Sequence, residues 1–509
     1  MTAPIDPAQP LAPQPAPMGE PASIGEPAPT GRGRTVALVG GILAIVVLGA
    51  GGAWAWQQVG GGGAQPESVL PSTTIAFAKV DLDPSGGQKL DAIRFARTFP
   101  KAKDEVREDS DLREVIVKGL QQRNNLEGVD YAKDVEPWLG KRLGFGLVPG
   151  KEADSKPVPV VALAVTDQGK ARTSLPRLAA SLEAECQVLE DYAVCTEKGN
   201  GQLGSVVAAA RKSALSDNAT FTKDMGDLGE DGIAAAWFDG GRLAKALGDV
   251  QGSVLMGMHA PTTAAAGHGA YALRFDGPNL ELAGHVNGLS TKLASGSAGS
   301  TGLPELPKGT LAAVGVANAG EQLRTAWPGI EQSLKSLAGE QEFTDGLAMA
   351  QDALGIALPE DLFKALGTQL AISFGGMGEG HGDPQVAIVT DGDHSVLQKL
   401  ADVGGGQTLG APLTLKQAGN RTVLALSDGY ADTVASGSGL GGSDSFRAAV
   451  PDAGTARFAA YADIAGLLAE FKDEVPAEQA KDLAPLAAAG VTVTGSGDHA
   501  EFRMRLITK

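Results

Sequence analysis

The sequence predicts an α+β fold: two tandem homologous repeats of antiparallel sheet plus helices, preceded by one transmembrane helix and a Pro-rich tail. Three observations carry this. A charge-free apolar run lies near the N-terminus, an ordered series of segments recurs later in the chain, and short strand-like runs alternate with turns and helices without strict βαβ order. A chain of 509 residues exceeds what one hydrophobic core usually serves, so two core-bearing units are expected on length alone.

Residues 1–34 hold nine prolines and two Gly-Glu-Pro-Ala copies. Such a segment cannot bury a core, and the reading is a disordered, extended cytoplasmic tail. Thr35 to Trp56 contains no charged residue across 22 positions. At 1.5 Å per residue that is a helix about 33 Å long, enough to span a bilayer. Trp54 and Trp56 suit the far interface, and Arg32 and Arg34 flank the near one and stay inside. The run thus reads as a signal anchor, with the N-terminus cytoplasmic and the C-terminal domain extracytoplasmic at the cell membrane. The competing reading is a cleaved secretory signal ending at Ala53-Trp54-Ala55, but the run is long for one and a bulky Trp follows the site. No Cys follows the run as a lipid anchor would require. Residues 57–65 are a Gly-rich linker.

Beyond the linker one set of segments occurs twice. Leu70-Pro71-Ser72-Thr73-Thr74 is matched by Leu306-Pro307-Lys308-Gly309-Thr310, and Leu139-Gly140-Lys141-Arg142-Leu143 by Leu366-Gly367-Thr368-Gln369-Leu370. Val160 to Asp167 corresponds to Val386 to Asp391, each leading into a helix, Lys170 to Leu182 and Ser395 to Val403. The hairpins Cys186 to Thr196 and Leu415 to Leu426 follow. Ser216-Asp217 then matches Ser443-Asp444, Ala236-Trp237-Phe238-Asp239 matches Ala460-Tyr461-Ala462-Asp463, and Leu280-Glu281-Leu282 matches Ala500-Glu501-Phe502. The order is kept while the offset drifts from 236 to 220, as loop insertions would produce. The expected units are an extracytoplasmic repeat 1 at 66–290, a linker at 291–302 and repeat 2 at 303–509. Whether their sheets fuse is left open by the sequence.

Cys186 and Cys195 flank a Glu190-Asp191 turn and can face each other across a hairpin, whereas repeat 2 has Leu415 and Leu424 there. An apolar pair in the same place argues for a structural disulfide, favoured by an oxidising exterior.

The chemistry is sparse. His259, His268, His285, His381, His394 and His499 show no helical pairing, and no zinc, P-loop, Gly-x-Ser-x-Gly, Ser-x-x-Lys or Cys-x-x-Cys signature occurs. The expectation is no catalytic, metal or cofactor site and a protein that is not an enzyme. A triad assembled from distant residues stays open, because triads are defined by geometry. Asp81-Leu82-Asp83-Pro84-Ser85-Gly86-Gly87 reads as a strand end, turn and helix start in preference to a calcium loop, and Gly375 to Gly382 as a hairpin loop. Lys101 to Lys118 reads as an amphipathic helix inserted in repeat 1, and Asn218-Ala219-Thr220 as a glycosylation sequon in a host that uses one. The net charge is −18, of which the tail contributes −1. An acidic body repels phosphate backbones and anionic headgroups, which excludes nucleic acid as a partner class.

Val80-Asp81-Leu82-Asp83-Pro84-Ser85-Gly86-Gly87-Gln88-Lys89, then Arg94-Phe95 and Phe99-Pro100, together with Asp134-Val135-Glu136-Pro137-Trp138-Leu139-Gly140, resemble the domain of unknown function 3352. The resemblance extends over essentially the whole outer domain. It implies a single-pass envelope protein of the kind found in high-GC Gram-positive bacteria, with no catalytic residues to carry over. The functional expectation is a non-catalytic binding or scaffold module of the cell envelope, taking a protein partner or an apolar ligand such as a lipid or cell-wall precursor. The alternative is an extracytoplasmic hydrolase with a spatially assembled site, and a third possibility is signalling through the Pro-rich tail.

Overall fold

The computed structural model describes residues 64–82, 86–100, 113–114, 129–151, 156–229, 232–247, 267–289, 299–378, 382–407 and 413–509. The expected tail (1–34), transmembrane helix (35–56), nearly all of the linker 57–65, most of Lys101 to Lys118, and the residues Asp83, His259 and His381 lie outside these. Among the described residues no helix is long and apolar enough to cross a membrane.

In chain order the first half runs β1 (Ala76–Asp81), α1 (Gly86–Thr98), β2 (Leu139–Val148), β3 (Val158–Val165), α2 (Gln168–Ser181), β4 (Ala184–Val188) and β5 (Tyr192–Glu197). It continues through α3 (Leu203–Lys212), α4 (Ala219–Asp227), β6 (Ala234–Asp239), α5 (Gly240–Leu247), β7 (His268–Asp276) and β8 (Asn279–Asn287). The second half runs β9 (Ala312–Ala317), α6 (Ala319–Ala338), α7 (Glu340–Leu354), α8 (Glu360–Leu366), β10 (Gln369–Met377), β11 (Pro384–Thr390), α9 (His394–Gln407), β12 (Thr414–Ala418) and β13 (Arg421–Ala425). Then come α10 (Asp428–Ser436), α11 (Asp444–Ala449), β14 (Phe458–Asp463), α12 (Ile464–Glu470), α13 (Ala477–Leu483), β15 (Leu486–Ser496) and β16 (His499–Thr508). The class is α+β.

All sixteen strands join one antiparallel sheet, ordered β12-β13-β11-β10-β9-β14-β15-β16-β8-β7-β6-β1-β2-β3-β5-β4. The question of two sheets or one is thereby answered: β16 and β8 pair from His499↔Asn287 to Leu506↔Leu280 and fuse the halves. Outward from this seam the strand order is the same on both sides, each strand of one half answering to the strand eight numbers on in the other. Local details also correspond. Leu70 and Leu306 are buried, and their carbonyls accept from the Leu215 and Leu440 amides at 2.7 and 3.0 Å. Thr74 and Thr310 each donate a hydroxyl to the carbonyl of the proline three residues earlier, at 2.7 and 2.8 Å.

The hairpins beside the seam have two-residue turns, Gly277-Pro278 and Gly497-Asp498, in which each glycine takes a positive φ, +57° and +60°, that a side chain would disfavour. A Cβ at Gly490 would lie 2.2 Å from the Ala449 carbonyl, so the end of α11 packs on β15 only because that residue is glycine.

Strand alternation divides the apolar residues between two faces. On the first, α3 and α4 bring Val206, Val207, Phe221 and Met225 onto Phe77, Val160 and Trp237, while α10 and α11 bring Tyr430, Val434 and Phe446 onto Ala371, Val389 and Tyr461. On the second, α2 covers Val80 and Leu143 with Leu175 and Leu178, and α9 covers Leu424 with Val396 and Leu397. The residues behind the family resemblance are part of this packing. Gln88 clamps α1 to β7, donating to the Phe275 carbonyl and accepting from the Phe275 amide, both at 2.8 Å. Trp138 is fully buried with its indole N–H on the Asp134 carbonyl, 2.6 Å away. Asp81 meets Arg142 at 3.1 Å, which makes it the end of a strand held by an ion pair.

Two expectations need revision. The strand expected from Gly144 already starts at Leu139, because the Leu-Gly-Lys-Arg-Leu segment pairs with β3 across a register shift. Lys101 to Lys118 cannot be called an insertion peculiar to the first half, since the second half fills the corresponding interval, 318–368, with α6, α7 and α8. These helices are amphipathic but interrupted by Pro328 and Gly339, which hides them from a reading based on long uninterrupted periodicity.

The expected disulfide is present: Cys186 and Cys195 are directly opposed on β4 and β5 and bonded. Leu415 and Leu424 are directly opposed on β12 and β13 in the same way. Because the bridge closes only a short loop, replacing both cysteines by alanine is expected to cost about 2–3 kcal/mol in urea unfolding. Non-reduced protein should show no titratable thiol.

Candidate functional site

The seam places polar side chains where a large sheet is normally apolar. Register puts His268 (β7), Asn287 (β8) and His499 (β16) in one row of the first face, Ala270, His285 and Glu501 in the next, and Ala272, Ala283 and Arg503 in the third. Arg274, Glu281 and Arg505 form the fourth. With equivalent turns at Gly277 and Gly497, positions in the two hairpins differ by 220, so Ala283 and Arg503 face each other at the centre of the strand correspondence.

Over this floor lies a cleft of about 390 Å³. One wall is the end of α4 at Asp227 and Leu228, the other is Asp452 in the turn after α11, and Thr492 and Thr494 of β15 extend the floor. Its lining is mainly polar, which does not match the expectation of an apolar ligand.

Beneath one end sits Asp224, wholly buried on α4. Its carboxylate accepts from the Trp237 indole at 2.8 Å, from His268 Nδ1 at 2.6 Å and from the Asn287 amide at 3.2 Å. His499 Nδ1 lies 2.7 Å from Asn287 Oδ1, and since that oxygen only accepts, the imidazole donates. A relay therefore runs from β16 of the second half through Asn287 to Asp224 of the first. Burial by itself would raise the Asp224 carboxyl. The polar groups of His285, Trp237 and His268 outweigh burial and hold it down at about 2.

His285 differs from its neighbours. It is 6% exposed and lines the cleft, and its Nε2 stands 3.7 Å from Asp224 Oδ1, too far for a hydrogen bond. That nitrogen has no hydrogen-bond partner. Arg503 Nε likewise makes no hydrogen bond but faces Glu281 Oε2 at 3.6 Å, and Arg503 Nη1 reaches Asp452 at 2.9 Å. At the opposite end three arginines converge on buried Glu281: Arg274 at 2.8 Å, Arg505 at 3.2 Å and Arg503 at 3.6 Å. Arg505 also pairs with Asp276 and donates to the Ala448 carbonyl at 2.7 Å.

Of the residues singled out in the sequence, the structure brings together His268, His285 and His499, and leaves His394 apart, near Thr422 at 3.3 Å. Cys186 and Cys195 lie at the far edge of the sheet, in the outermost hairpin. Asp224, Asn287, Glu281 and the arginines were not anticipated as a cluster. A signal existed: the Asp-Gly-Pro-Asn turn fixes the β7–β8 register, which pairs His268 with Asn287 and Ala270 with His285. Among the described residues no group of three His, Cys, Asp or Glu could hold a metal ion. No Ser, Thr or Cys among them hydrogen-bonds to His268, His285 or His499. Exposed apolar surface lies on the second face, at Val314, Ile372 and Ile388 of three adjacent strands, and on α6 and α7 at Leu337 and Met349.

Residues 37–225 match the model of a family described as "Protein of unknown function (DUF3352)". Over that stretch, a little more than a third of the chain, the sequence is similar to that family. The DUF3352 match ends within α4, just past Asp224, and so is narrower than the whole outer domain over which the resemblance was expected. No curated protein matches the chain. A solved structure titled "Structure of crystal form I of TP0453" aligns with 46% of this chain and 82% of its own at 9% identity and a TM-score of 0.23, too slight a likeness to bear on fold or function. The DUF3352 region thus supplies α4 and its Asp224, while the histidines and Asn287 that surround the carboxylate come from strands beyond it.

Because the Asp224 carboxyl is depressed in the fold, its contribution to stability is complete above its unfolded value near 4 and is lost as pH falls toward 2. Acid titration of thermal stability should show a loss of about 2 kcal/mol in that window, absent in Asp224→Asn. Asp224→Ala leaves four polar groups facing a cavity and should cost about 3–5 kcal/mol at neutral pH.

Proposed function

We propose that this chain is a membrane-anchored extracytoplasmic binding protein, and that the cleft at the seam holds a small polar ligand. In this reading Thr35 to Trp56 spans the cell membrane, residues 1–34 are cytoplasmic, and the sheet domain descends from a duplicated unit whose two copies fused edge to edge. The matching strand order and the paired Leu-Pro and Thr contacts support the duplication, and the apolar run with its arginine and tryptophan flanks supports the anchor.

The observation that carries the binding reading is His285 Nε2. That buried ring nitrogen makes no hydrogen bond, with Asp224 Oδ1 3.7 Å away, and its residue lines a polar cleft large enough for a small molecule. Asp224, His268, Asn287 and His499 then serve as the support that fixes the floor. The polar lining redirects the expected ligand from a lipid to a polar molecule.

Two measurements test the two parts. With tags at both ends of the full chain, a protease added to intact cells should remove the C-terminal tag and spare the N-terminal one. The reverse pattern, or protection of both, would defeat the topology. Native mass spectrometry of the full chain released from micelles should show a discrete small polar adduct that His285→Gln loses. A bare mass would count against a resident ligand.

A further inference from the structure

We propose that the second face of the sheet holds the hydrocarbon chain of a single lipid molecule, lying across the strands in a trough between helices. The site is separate from the cleft, which opens on the first face. Strand alternation puts Leu282 of β8 and Met504 of β16 at one end of a row that runs through Val491, Val314 and Ile372 to Ile388. The row crosses seven adjacent strands, and at about 4.8 Å between strands it is about 29 Å long. One leaflet of a bilayer is about 15 Å of hydrocarbon deep, so the row is long enough to carry a lipid chain at full length. A second row beside it holds Tyr271, Phe502, Val493, Phe458 and Val316. From β7 to β11 no paired position of this face carries a charge. Met504, Val314, Ile372 and Ile388 are 42%, 41%, 45% and 39% exposed, so this floor is open.

Four helices stand on the same face around the floor. At one end α2 lies over Val80 and Leu143, and at the other α9 lies over Leu424. Along one side α1 sets Phe95 against Phe275 with ring centroids 5.4 Å apart, and Phe471, directly after α12, stacks on Phe374 at 6.2 Å. Two sheets pack face to face at about 10 Å, and a helix with its side chains is itself about 10 Å across. A second copy presented face to face, or the flat surface of a bilayer, therefore meets the helices before it reaches the floor. What enters must be slender, and it must bring no polar groups of its own. The amides and carbonyls of these inner strands are spent on their neighbours, and the Tyr271 hydroxyl is the one side-chain oxygen or nitrogen in the two rows. Protein partners pair about one hydrogen bond for each 100–200 Å² of interface, and this floor offers those groups nothing to pair with. Methylene groups ask for no such partner, and leaving water for an apolar floor is favourable for each of them.

The test is photolabelling of the full chain in phosphatidylcholine vesicles that contain a trace of phosphatidylcholine with a diazirine at the end of one acyl chain. Peptide mass spectrometry after irradiation maps the labelled residues. Labels are expected on the strands that carry Met504, Val314 and Ile372, and they should be stronger there than on Leu337 and Met349 of α6 and α7, which are apolar and more exposed, at 85% and 73%. Ile372→Asp charges the floor and Val314→Trp fills it, and each should lower the floor label by about tenfold with the unfolding temperature little changed. Floor labels no stronger than those on Leu337 and Met349, a comparison that needs no variant, mean general contact with the bilayer and overturn the trough. Labels confined to residues 35–56, or a floor label that Val314→Trp leaves in place, overturn it as well. The map is read without any ligand of the cleft, so a failure here leaves the polar site standing.

Discussion

The pairing of β8 with β16 is the contact on which the rest of the molecule depends. It closes the hydrogen-bonding edges that two eight-stranded halves would otherwise expose, and its register decides which side chains share a face. On the second face the register lines up an apolar row that crosses the seam without a break, Leu273, Leu282, Met504 and Val491. It runs on through Ala460, Val314, Ile372, Ile388 and Leu424 to Leu415 at one end, and through Ala234, Val80, Leu143, Leu163 and Ala193 to Val188 at the other. A slip of one residue at β8 and β16 would break that row and bury its partner face in the wrong direction.

The same register concentrates charge on the first face. Glu281 is tolerated in the interior because three guanidinium groups from β7 and β16 surround it, and each half supplies at least one of them. Asp224 is tolerated because an indole, an imidazole and an amide donate to it. Removing either carboxylate would leave the surrounding donors buried and unmet, so these clusters bind the halves together through specificity of geometry more than through net attraction. Between them the floor at Ala283 carries a methyl group, which is what leaves room for a cleft.

Much of the fold could be read from the chain. The strands at Val160 and Val386, the helix at Lys170 to Leu182, and both outer hairpins with their Cys and Leu pairs are local features whose pattern, length and turn residues are written in adjacent positions. The site was not legible in that way. His285 and His499 are 214 positions apart and meet only because two strands from different halves pair edge to edge, a choice that depends on every strand inside them. Asp224 looked like an ordinary acid on a short helix, since nothing beside it in sequence reveals that Trp237, His268 and Asn287 converge on it. The long helices α6 and α7 were missed for a local reason: their proline and glycine punctuation reads as loop until packing against α8 and α9 is known.

Closing the middle of the sheet leaves its ends, and there the outermost strands, β4 and β12, are five residues each. A free strand edge is a template on which another chain can add, and recruitment of that kind often begins when the edge strand slides along its neighbour to offer a new set of amides. At β4 the covalent bond between Cys186 and Cys195 removes that freedom: the strand can fray, but it cannot shift by a step. Lys416 on β12 adds a charge at the opposite margin, where no such bond exists. The bridge therefore does more than hold a hairpin together. It fixes the register of one outermost strand of a sixteen-stranded sheet, and with it the set of amides that this edge can offer to another chain.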